Sequence, residues 1–503
     1  MNTFMENLTD ATNFNRTANG ALAHKSTRSY VYDMFALGGA YRRRSEEDCI
    51  LLFKNAFAEN AELALKCLFY LRDCRGGQGE RRFFRVAFKW LCDNHKDAAI
   101  RNIDNLSEYG RWDDLFYATF GTSVFPVAME EVKRQLMLDM SCKTPSLLAK
   151  WMPSENASSK TTKAMANAVR SSMGLSHKEY RQTLSKLRAR INVLERLMSA
   201  NRWEEIEFDK IPSKAGLIYK NAFARRDIIA KKYETFAKSA DTKVNATTLY
   251  PYDVVAKAVG DGTGWSYRFP NLTEVDRAMI EKYWNCLPDY LNGADCSMMC
   301  VVDTSGSMTG SKADAPLNVA IALGMYCAER VGGPFKDHYI SFSSRPQLIK
   351  IAGVDFVDKV RRIYKTNLCE NTNIEATFDL LLKIALDPKT DKNDIPKTLV
   401  IISDMQIDSM TGGWRGEGRQ WRQGTADTEM ERIRQKWEAH GVQCPKLVYW
   451  NVNASNNTIL DNGSDVTFVS GCSPVIFEQV VTGVTGYDLM LKKLMSERYE
   501  RVA

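Results

Sequence analysis

The chain has 503 residues, of which 44% are hydrophobic and 26% are charged, a composition typical of a soluble globular protein with two or three domains. No apolar run approaches the ~20 residues of a membrane span, and the polar N-terminus lacks the layout of a secretion signal, so we expect a cytoplasmic location. The formal net charge is +7, with the excess concentrated in residues 151–250, which is compatible with an anionic partner such as nucleic acid.

The N-terminal half is predicted to be α-helical. Residues 1–28 are predicted to be a flexible arm. Over residues 29–290 the apolar side chains recur at helical spacing, and glycine or proline turns separate short helices. Helix pairs in series predict a HEAT-like α-helical repeat domain, although no strict sequence period is present. Residues 176–200 form a strongly basic helix, for which Ser176 is a plausible N-cap and Glu179 completes a capping box.

The pattern changes near residue 291, where short apolar runs begin to alternate with amphipathic stretches. This alternation predicts a Rossmann-like α/β domain over 291–503, with a parallel sheet covered by helices. The predicted strands are 297–302, 338–343, 347–351, 398–403, 446–451 and 466–469. The predicted helices are 313–330, 355–364, 374–386, 427–440 and 485–500.

Oxygen-bearing side chains follow two of these strands. Asp303 ends the first strand, Ser305 and Ser307 lie on the turn after it, and Gly306 is expected to allow the tight bend between them. In a parallel sheet such residues meet beyond the carboxyl ends of the strands. Carboxylates and hydroxyls suit Mg²⁺ or Mn²⁺ rather than zinc. The predicted metal ligands are Asp303, Ser305, Ser307, Thr372 and Asp404.

We expect no enzymatic activity from this constellation. No histidine lies in either loop, and the chain has no Gly-x-Ser-x-Gly elbow and no phosphate-binding P-loop. The twelve cysteines include no Cys-x-x-Cys pair, which favours free thiols over a zinc site.

The C-terminal half resembles the von Willebrand factor A family. The residues that carry the resemblance are VVDTSGSM (301–308), NTN (371–373) and IISDM (401–405). The resemblance implies a metal ion with one open position that accepts a carboxylate of a partner. Asn371 and Met405 stand where many members have glycine, and neither departure removes a ligand.

Segment 68–91 places five arginines around a glycine loop that opens a helix. Such a loop can offer backbone N–H groups to a phosphate, with arginines beside it. The alternative is an ordinary helix–helix turn with a solvated basic face. The nearby Trp112-Asp113-Asp114 run is interpreted as a packing and capping device.

The whole chain after residue 30 resembles a group of phage, viral and bacterial proteins related to the Ro autoantigen (TROVE) family. The resemblance rests on YLRDCRGGQGERRFF (70–84), EYGRWDDL (108–115), SLLAKWMPSE (146–155), YRQTLSKLR (180–188) and KIPSKA (210–215). It implies an RNA-binding ribonucleoprotein component, for small structured or single-stranded RNA. The predicted RNA contacts are Arg72, Arg75, Arg81, Arg82, Arg85, Lys178, Arg181, Lys186, Arg188 and Arg190.

A second hypothesis stays open beside RNA binding. The metal site would capture an acidic residue of a protein partner, and the helical half would be a scaffold without RNA, for instance in phage or host assembly. The sequence leaves the oligomeric state open.

Overall fold

The computed structural model describes residues 12–191, 193–260, 268–292, 297–310, 312–342, 345–366, 373–406, 429–455, 457–460 and 466–503. The chain divides into two compact units, each built from two separate stretches of sequence. The first, here called the α/β unit, comprises the residues up to Ser45 together with Leu249–Lys493. The second, the helical unit, comprises Glu46–Thr248 and Leu494–Ala503.

A six-stranded sheet forms the centre of the α/β unit. Its strands are β3 (Met298–Asp303), β4 (His338–Phe342), β5 (Gln347–Lys350), β6 (Thr398–Ser403), β7 (Lys446–Asn451) and β8 (Val466–Ser470), in the order β5-β4-β3-β6-β7-β8. All neighbours are parallel except β4 and β5. The inner strands are buried along almost their whole length, as expected where helices cover a parallel sheet. The six predicted strands and the mostly parallel sheet are confirmed.

Nine helices belong to the described part of the α/β unit, and five of them lie close to the helices predicted after residue 291. They are α1 (Tyr30–Leu37), α15 (Pro251–Val259), α16 (Glu274–Asn285), α17 (Pro316–Arg330), α18 (Phe356–Lys365), α19 (Ile374–Ala385), α20 (Glu429–Ala439), α21 (Ile476–Val480) and α22 (Gly486–Leu494). Every residue of α17 from Pro316 to Ala328 is buried. The predicted helix 485–500 is shorter, because α22 ends at Leu494 and a 3₁₀ turn follows at Glu497–Tyr499.

The described part of the predicted arm has regular structure. Strands β1 (Phe14–Arg16) and β2 (Leu22–His24) form an antiparallel hairpin. In its second strand, the His24 N–H donates to the Ile459 carbonyl at 2.7 Å, and the His24 carbonyl accepts from the Ile459 N–H at 3.1 Å. Residues 12–28 therefore belong to the α/β unit, through contacts made far along the chain.

The stretch just before the sheet also packs within the α/β unit. The Arg277 guanidinium on α16 makes two hydrogen bonds of 2.7 Å to the Asp355 carboxylate. The Trp284 ring stacks on Phe356 with 4.4 Å between centroids. Arg361 on α18 donates to the Ala258 carbonyl at the end of α15 at 3.0 Å. The compact units consequently do not follow the boundaries at 28 and 290 that the sequence suggested.

The helical unit contains the remaining thirteen helices of the described chain. They are α2 (Glu46–Glu59), α3 (Ala61–Arg72), α4 (Arg81–Asn94), α5 (Lys96–Arg101), α6 (Asn105–Tyr109), α7 (Trp112–Thr119), α8 (Phe125–Ser141), α9 (Leu148–Trp151), α10 (Lys160–Ser172), α11 (His177–Ile191), α12 (Leu194–Ser199), α13 (Ser213–Ala224) and α14 (Asp227–Lys238). Phe69, Phe84, Phe88 and Tyr109 form part of its aromatic core, with ring centroids 5.3–6.2 Å apart. Within the described ranges, no helix has the length and apolar character needed to cross a bilayer.

Candidate functional site

Four of the five predicted metal ligands, those that the structure describes, lie where the strand order of the sheet reverses. From the central strand β3 the chain proceeds to β4 and β5 on one side, and then to β6, β7 and β8 on the other. Ligands of open α/β sheets bind beyond the carboxyl ends of the strands at such a switch point. Asp303 is the last residue of β3, and Asp404 directly follows β6. Because β3 and β6 are parallel neighbours, both carboxylates reach the same edge.

The Asp303 carboxylate is fully buried and held by both loops of this edge. Its Oδ1 accepts a 2.8 Å hydrogen bond from the Ser305 backbone N–H, and its Oδ2 accepts a 2.6 Å bond from the Ser403 hydroxyl. The Ser403 oxygen in turn accepts from the Met405 N–H at 2.9 Å. These hydrogen bonds fix the orientation of the Asp303 carboxylate at the end of its strand.

The loop after β3 brings two hydroxyls together. The Oγ atoms of Ser305 and Ser307 are 3.0 Å apart; Ser305 is buried and Ser307 is exposed. A 3₁₀ turn at Gly306–Met308 with a buried Met308 side chain anchors the loop. The turn at Gly306 does not depend on glycine, because its φ is not positive and a methyl group there would meet no described atom within 4 Å.

Asp404 is the second buried carboxylate of the edge, with only 3% of its surface exposed. Burial raises the pKa of Asp404 well above its usual range, and the nearby charge of Asp303 raises it further, while a hydrogen bond from Ser307 acts in the opposite direction. Two carboxylates brought this close repel each other when both are ionised. A cation bound between them would remove that repulsion.

The side chains at this edge fit a hard divalent cation. Among the described residues, no group of three or more His, Cys, Asp or Glu side chains is placed to hold a metal ion. The oxygen donors at this edge are two carboxylates and two hydroxyls. All of these donors are oxygen atoms, which Mg²⁺ and Mn²⁺ prefer. The adjacent Thr304 hydroxyl is buried and has no hydrogen-bond partner among the described residues. The fifth predicted ligand, Thr372, lies outside the described residues.

Sequence reasoning missed one buried residue of this edge, Gln406. Its backbone N–H donates to Asp404 Oδ1 at 3.2 Å. Its Oε1 accepts from the Ala18 backbone N–H at 2.5 Å, and its carbonyl accepts from Asn19 Nδ2 at 2.7 Å. Both partners lie in the turn of the β1–β2 hairpin. The contacts span 388 and 387 positions of sequence, so no local pattern could reveal them.

In the helical unit, two of the predicted RNA-contacting arginines form buried ion pairs. Arg72 is 3% exposed and pairs with the fully buried Asp114 at 2.6 Å. Arg85 bridges Asp114 and Asp113 at 2.7 Å each. Burial alone would raise the pKa of Asp114, but the charges of Arg72 and Arg85 hold it below its usual range. Asp114 also accepts the Arg111 N–H at 2.9 Å as a helix cap, which confirms the packing and capping interpretation.

The glycine loop before α4 uses its backbone N–H groups internally. Gln78 N–H donates to the Tyr70 carbonyl at 3.1 Å, and Glu80 N–H donates to the Leu71 carbonyl at 2.7 Å. The Glu80 carboxylate caps the N-terminus of α4. At Gly77 a Cβ atom would lie 2.1 Å from the Tyr70 carbonyl oxygen, so glycine is needed for close packing. These contacts favour the helix–helix turn over a phosphate cradle.

Helix α11 divides its basic residues between the interior and the surface. Arg188 donates to the Ala149 and Met152 carbonyls at 2.8 and 3.0 Å, and Arg190 donates to the Asp139 carbonyl at 3.0 Å. These two arginines therefore hold helix ends together. Four predicted contacts are exposed on the helix, namely Lys178, Arg181, Lys186 and Arg190. The Arg181 guanidinium lies 3.7 Å from the Glu155 carboxylate.

The other three predicted arginines lie near the start of α4. Arg75 is exposed and donates to the Glu108 carbonyl. Arg82 is half-buried, with Nη1 3.7 Å from the Cys49 sulfur. Arg81 is exposed at the first position of the helix.

Arg81 lies near two further arginines. Partial desolvation by neighbouring protein atoms lowers the pKa of its guanidinium, and the charges of Arg111 and Arg85 lower it further. Arg85 lies over the Tyr117 ring at 4.4 Å and Arg111 lies over the Trp151 ring at 4.0 Å. Three guanidinium groups and two aromatic rings therefore share one region, here called the arginine cluster. Arg111 and both rings were not among the predicted contacts.

Comparison with known proteins places this sequence beside two families. The family described as Domain of unknown function (DUF2828) matches residues 17–118 and 123–294, and that described as Domain of unknown function (DUF7788) matches residues 297–488. The chain is 28% identical to the uncharacterized protein L728 of Acanthamoeba polyphaga mimivirus over 514 aligned positions, which cover 93% of this chain and 85% of the viral protein. Since the DUF2828 match covers more than half of its residues, the chain belongs to the DUF2828 family.

Proposed function

We propose that the α/β unit is a von Willebrand A-type domain that binds Mg²⁺ or Mn²⁺ and captures an acidic group of a partner through it. The observation that carries the proposal is the convergence of Asp303, Ser305, Ser307 and Asp404 at the strand-order switch. The strand order and the antiparallel edge strand β5 agree with that type of domain. The proposed role is binding rather than catalysis.

The four described side chains would contribute to metal binding in two different ways. Asp303 and Asp404 would supply negative charge from the two strand ends, and Ser305 and Ser307 would supply neutral oxygen atoms, together with Thr372. When bound, the ion offers a coordination position to a carboxylate. Ser307 is the exposed member of the set, so the opening for a partner is expected on its side of the loop.

Metal titration of the full chain tests the proposal. Wild-type protein is expected to bind one Mn²⁺ ion per chain, measured by electron paramagnetic resonance, with Mg²⁺ as competitor. Asp303→Asn removes a charged ligand while keeping the side-chain shape, and is expected to abolish that binding. Pull-downs from the native host with and without Mg²⁺ should then lose the same partner for the variant and for the metal-free wild type.

The matched control is Asp253→Asn, which changes another buried carboxylate of the same unit, on α15. It should leave Mn²⁺ binding unchanged. The absence of Mn²⁺ binding by the wild type, or equal binding by the Asp303→Asn variant, would contradict the proposal.

We propose RNA binding by the helical unit as a second function, in line with the resemblance to Ro-related proteins and with a HEAT-like arrangement of its helices. The arginine cluster favours it through the exposed Arg81 and the Tyr117 and Trp151 rings, because guanidinium groups bind phosphates and aromatic rings stack on bases. Its other two guanidinium groups, Arg85 and Arg111, are paired with Asp113. The exposed Lys178, Arg181 and Lys186 on α11 add positive charge. The contact set is narrower than the sequence suggested, since Arg72, Arg85, Arg188 and Arg190 are engaged within the protein.

Binding of labelled single-stranded RNA over a salt series tests this function. The triple variant Lys178→Gln/Arg181→Gln/Lys186→Gln should bind more weakly, and its dependence of log K on log salt should be shallower by about 0.7 for each RNA phosphate that it no longer neutralises. The control Lys54→Gln/Lys89→Gln/Lys96→Gln removes the same charge from exposed residues of α2, α4 and α5. Equal weakening in both triple variants would indicate a general charge effect and count against a defined RNA surface.

A further inference from the structure

The turn of the β1–β2 hairpin is bonded to the loop that carries Asp404. The Ala18 N–H and the Asn19 amide donate to Gln406, one to its side chain and one to its carbonyl. The Gln406 N–H donates to Asp404 Oδ1 at 3.2 Å. We infer that Gln406 is a positioning residue through which the N-terminal hairpin holds Asp404 in place for the metal ion. The inference rests on the proposed metal site.

The Asp404 loop needs support because of its backbone conformation. Met405 has a φ of +62°, a left-handed value that residues other than glycine adopt rarely. Its side chain is 2% exposed, so burial fixes the side chain while the backbone stays in an unfavourable region. The hydrogen bond from the Met405 N–H to the Ser403 hydroxyl supports one side of this turn. The hairpin contacts to Gln406 support the other side.

Gln406 is suited to transmit the position of the hairpin. It is 3% exposed, and its amide is used at both ends, because Oε1 accepts from Ala18 while Nε2 donates to the Asp404 carbonyl at 3.4 Å. One residue thus contacts both the backbone and the carboxylate of Asp404. Groups that orient a metal ligand in this way change metal affinity without touching the ion.

The hairpin is itself anchored at a second place. Asn15 Nδ2 donates to the Asn457 carbonyl at 3.2 Å, and His24 bonds to Ile459 through the backbone and to Glu431 through its ring at 3.1 Å. These anchors lie outside the Asp404 loop. A change at Asn15 therefore weakens the hairpin without removing a contact to Gln406, which makes a matched control available.

The experiment measures the Mn²⁺ affinity of the full chain for two variants. One removes a contact on the Gln406 side, and the other removes a contact on the side of the hairpin turn. Gln406→Met removes the Oε1 acceptor at similar side-chain length, and Asn19→Ala removes the donor to the Gln406 carbonyl. Each is expected to weaken Mn²⁺ binding about tenfold. In metal-free protein, both should accelerate hydrogen exchange of the Met405 and Gln406 amides. Asn15→Ala should change neither the affinity nor this exchange.

The outcomes separate this inference from the proposed function. If wild-type protein binds Mn²⁺ and Asp303→Asn abolishes it, but Gln406→Met and Asn19→Ala bind like wild type, the inference alone is overturned. If Asn15→Ala weakens binding as much as Asn19→Ala, general hairpin stability explains the effect and the inference is again overturned. If the wild type binds no Mn²⁺, the proposed function fails and the inference fails with it.

Discussion

Asp114 shows how strongly one buried charge can organise the helical unit. Its carboxylate is fully buried and forms ion pairs with Arg72 and Arg85. Asp114→Ala would leave guanidinium groups in a protein interior without this counter-charge. We expect the free energy of unfolding to fall by about 3–5 kcal/mol, measured by urea denaturation.

The control for this destabilisation is Glu130→Ala, which breaks an exposed pair with Lys133. Exposed pairs contribute about 0–1 kcal/mol, so this variant should unfold near the wild-type midpoint. Similar destabilisation in both variants would mean that burial does not set the strength of the Asp114 pairs.

The same carboxylate gives the stability a pH dependence with a definite sign. The pKa of Asp114 is lowered in the folded state, so its contribution is fully present above the ordinary aspartate pKa of about 3.9. It is lost as the pH falls through the folded-state pKa. Wild-type stability should therefore drop in acid more steeply than that of Asp114→Asn, and the two unfolding curves should converge at low pH. Curves that stay parallel from about pH 7 to about pH 3 would contradict this assignment.

At the residue scale, the sequence predicted which oxygen-bearing side chains meet at the sheet edge better than it predicted the surroundings of the arginines. Asp303, Ser305 and Ser307 lie within five positions and Asp404 directly follows a strand, so local pattern and strand direction suffice to bring them together. Whether an arginine is exposed or bonded within the protein depends on which carboxylate or carbonyl packs against it. Arg72 meets Asp114 across 42 positions, and no local feature of the sequence specifies that pairing.

Helix α11 carries both an arginine bonded within the protein and exposed basic side chains. Arg188 donates three hydrogen bonds, to the Ala149 and Met152 carbonyls and to the Ser154 hydroxyl. Lys178 on the same helix is exposed. Arg188→Ala should lower the free energy of unfolding by about 1.5–3 kcal/mol, since charge-assisted hydrogen bonds are removed.

Lys178→Ala is the control on the same helix and should stay within about 0.5 kcal/mol of wild type. Thermal and urea unfolding of both variants check the contrast. Equal stability of the two variants would show that the carbonyl contacts of Arg188 contribute nothing to holding α11.

At the element scale, the strands and most helices could be predicted, because apolar runs and helical periodicity are local signals. The order β5-β4-β3-β6-β7-β8 could not be read from the same pattern, since strand order depends on contacts between distant segments. The β1–β2 hairpin was missed for a related reason. Its three-residue strands are too short to show alternation, and the bonds that fix them go to residues beyond 400.

For the whole molecule, the division of the chain predicts what happens when it is cut. A fragment of residues 291–503 lacks Arg277 and Trp284, which pack on Asp355 and Phe356. A fragment of residues 1–290 lacks Arg498 and Tyr499, which both bond to the buried Asp73 carboxylate. We expect both fragments to lose cooperative thermal unfolding, measured by near-ultraviolet circular dichroism. Cooperative unfolding of either fragment at the full-length midpoint would contradict the role of these contacts.

The contribution of residues 494–503 to the helical unit also determines when that unit can be completed during biosynthesis. The ribosome makes Asp73 early, but Arg498 and Tyr499 appear only after the entire sheet of the α/β unit has been translated. Until then the Asp73 carboxylate has no Arg498 charge beside it, and the helices made earlier lack the contacts that complete the helical unit. The helical unit can therefore be completed only after residues 494–503 have been made, because only then can Arg498 and Tyr499 bond to Asp73.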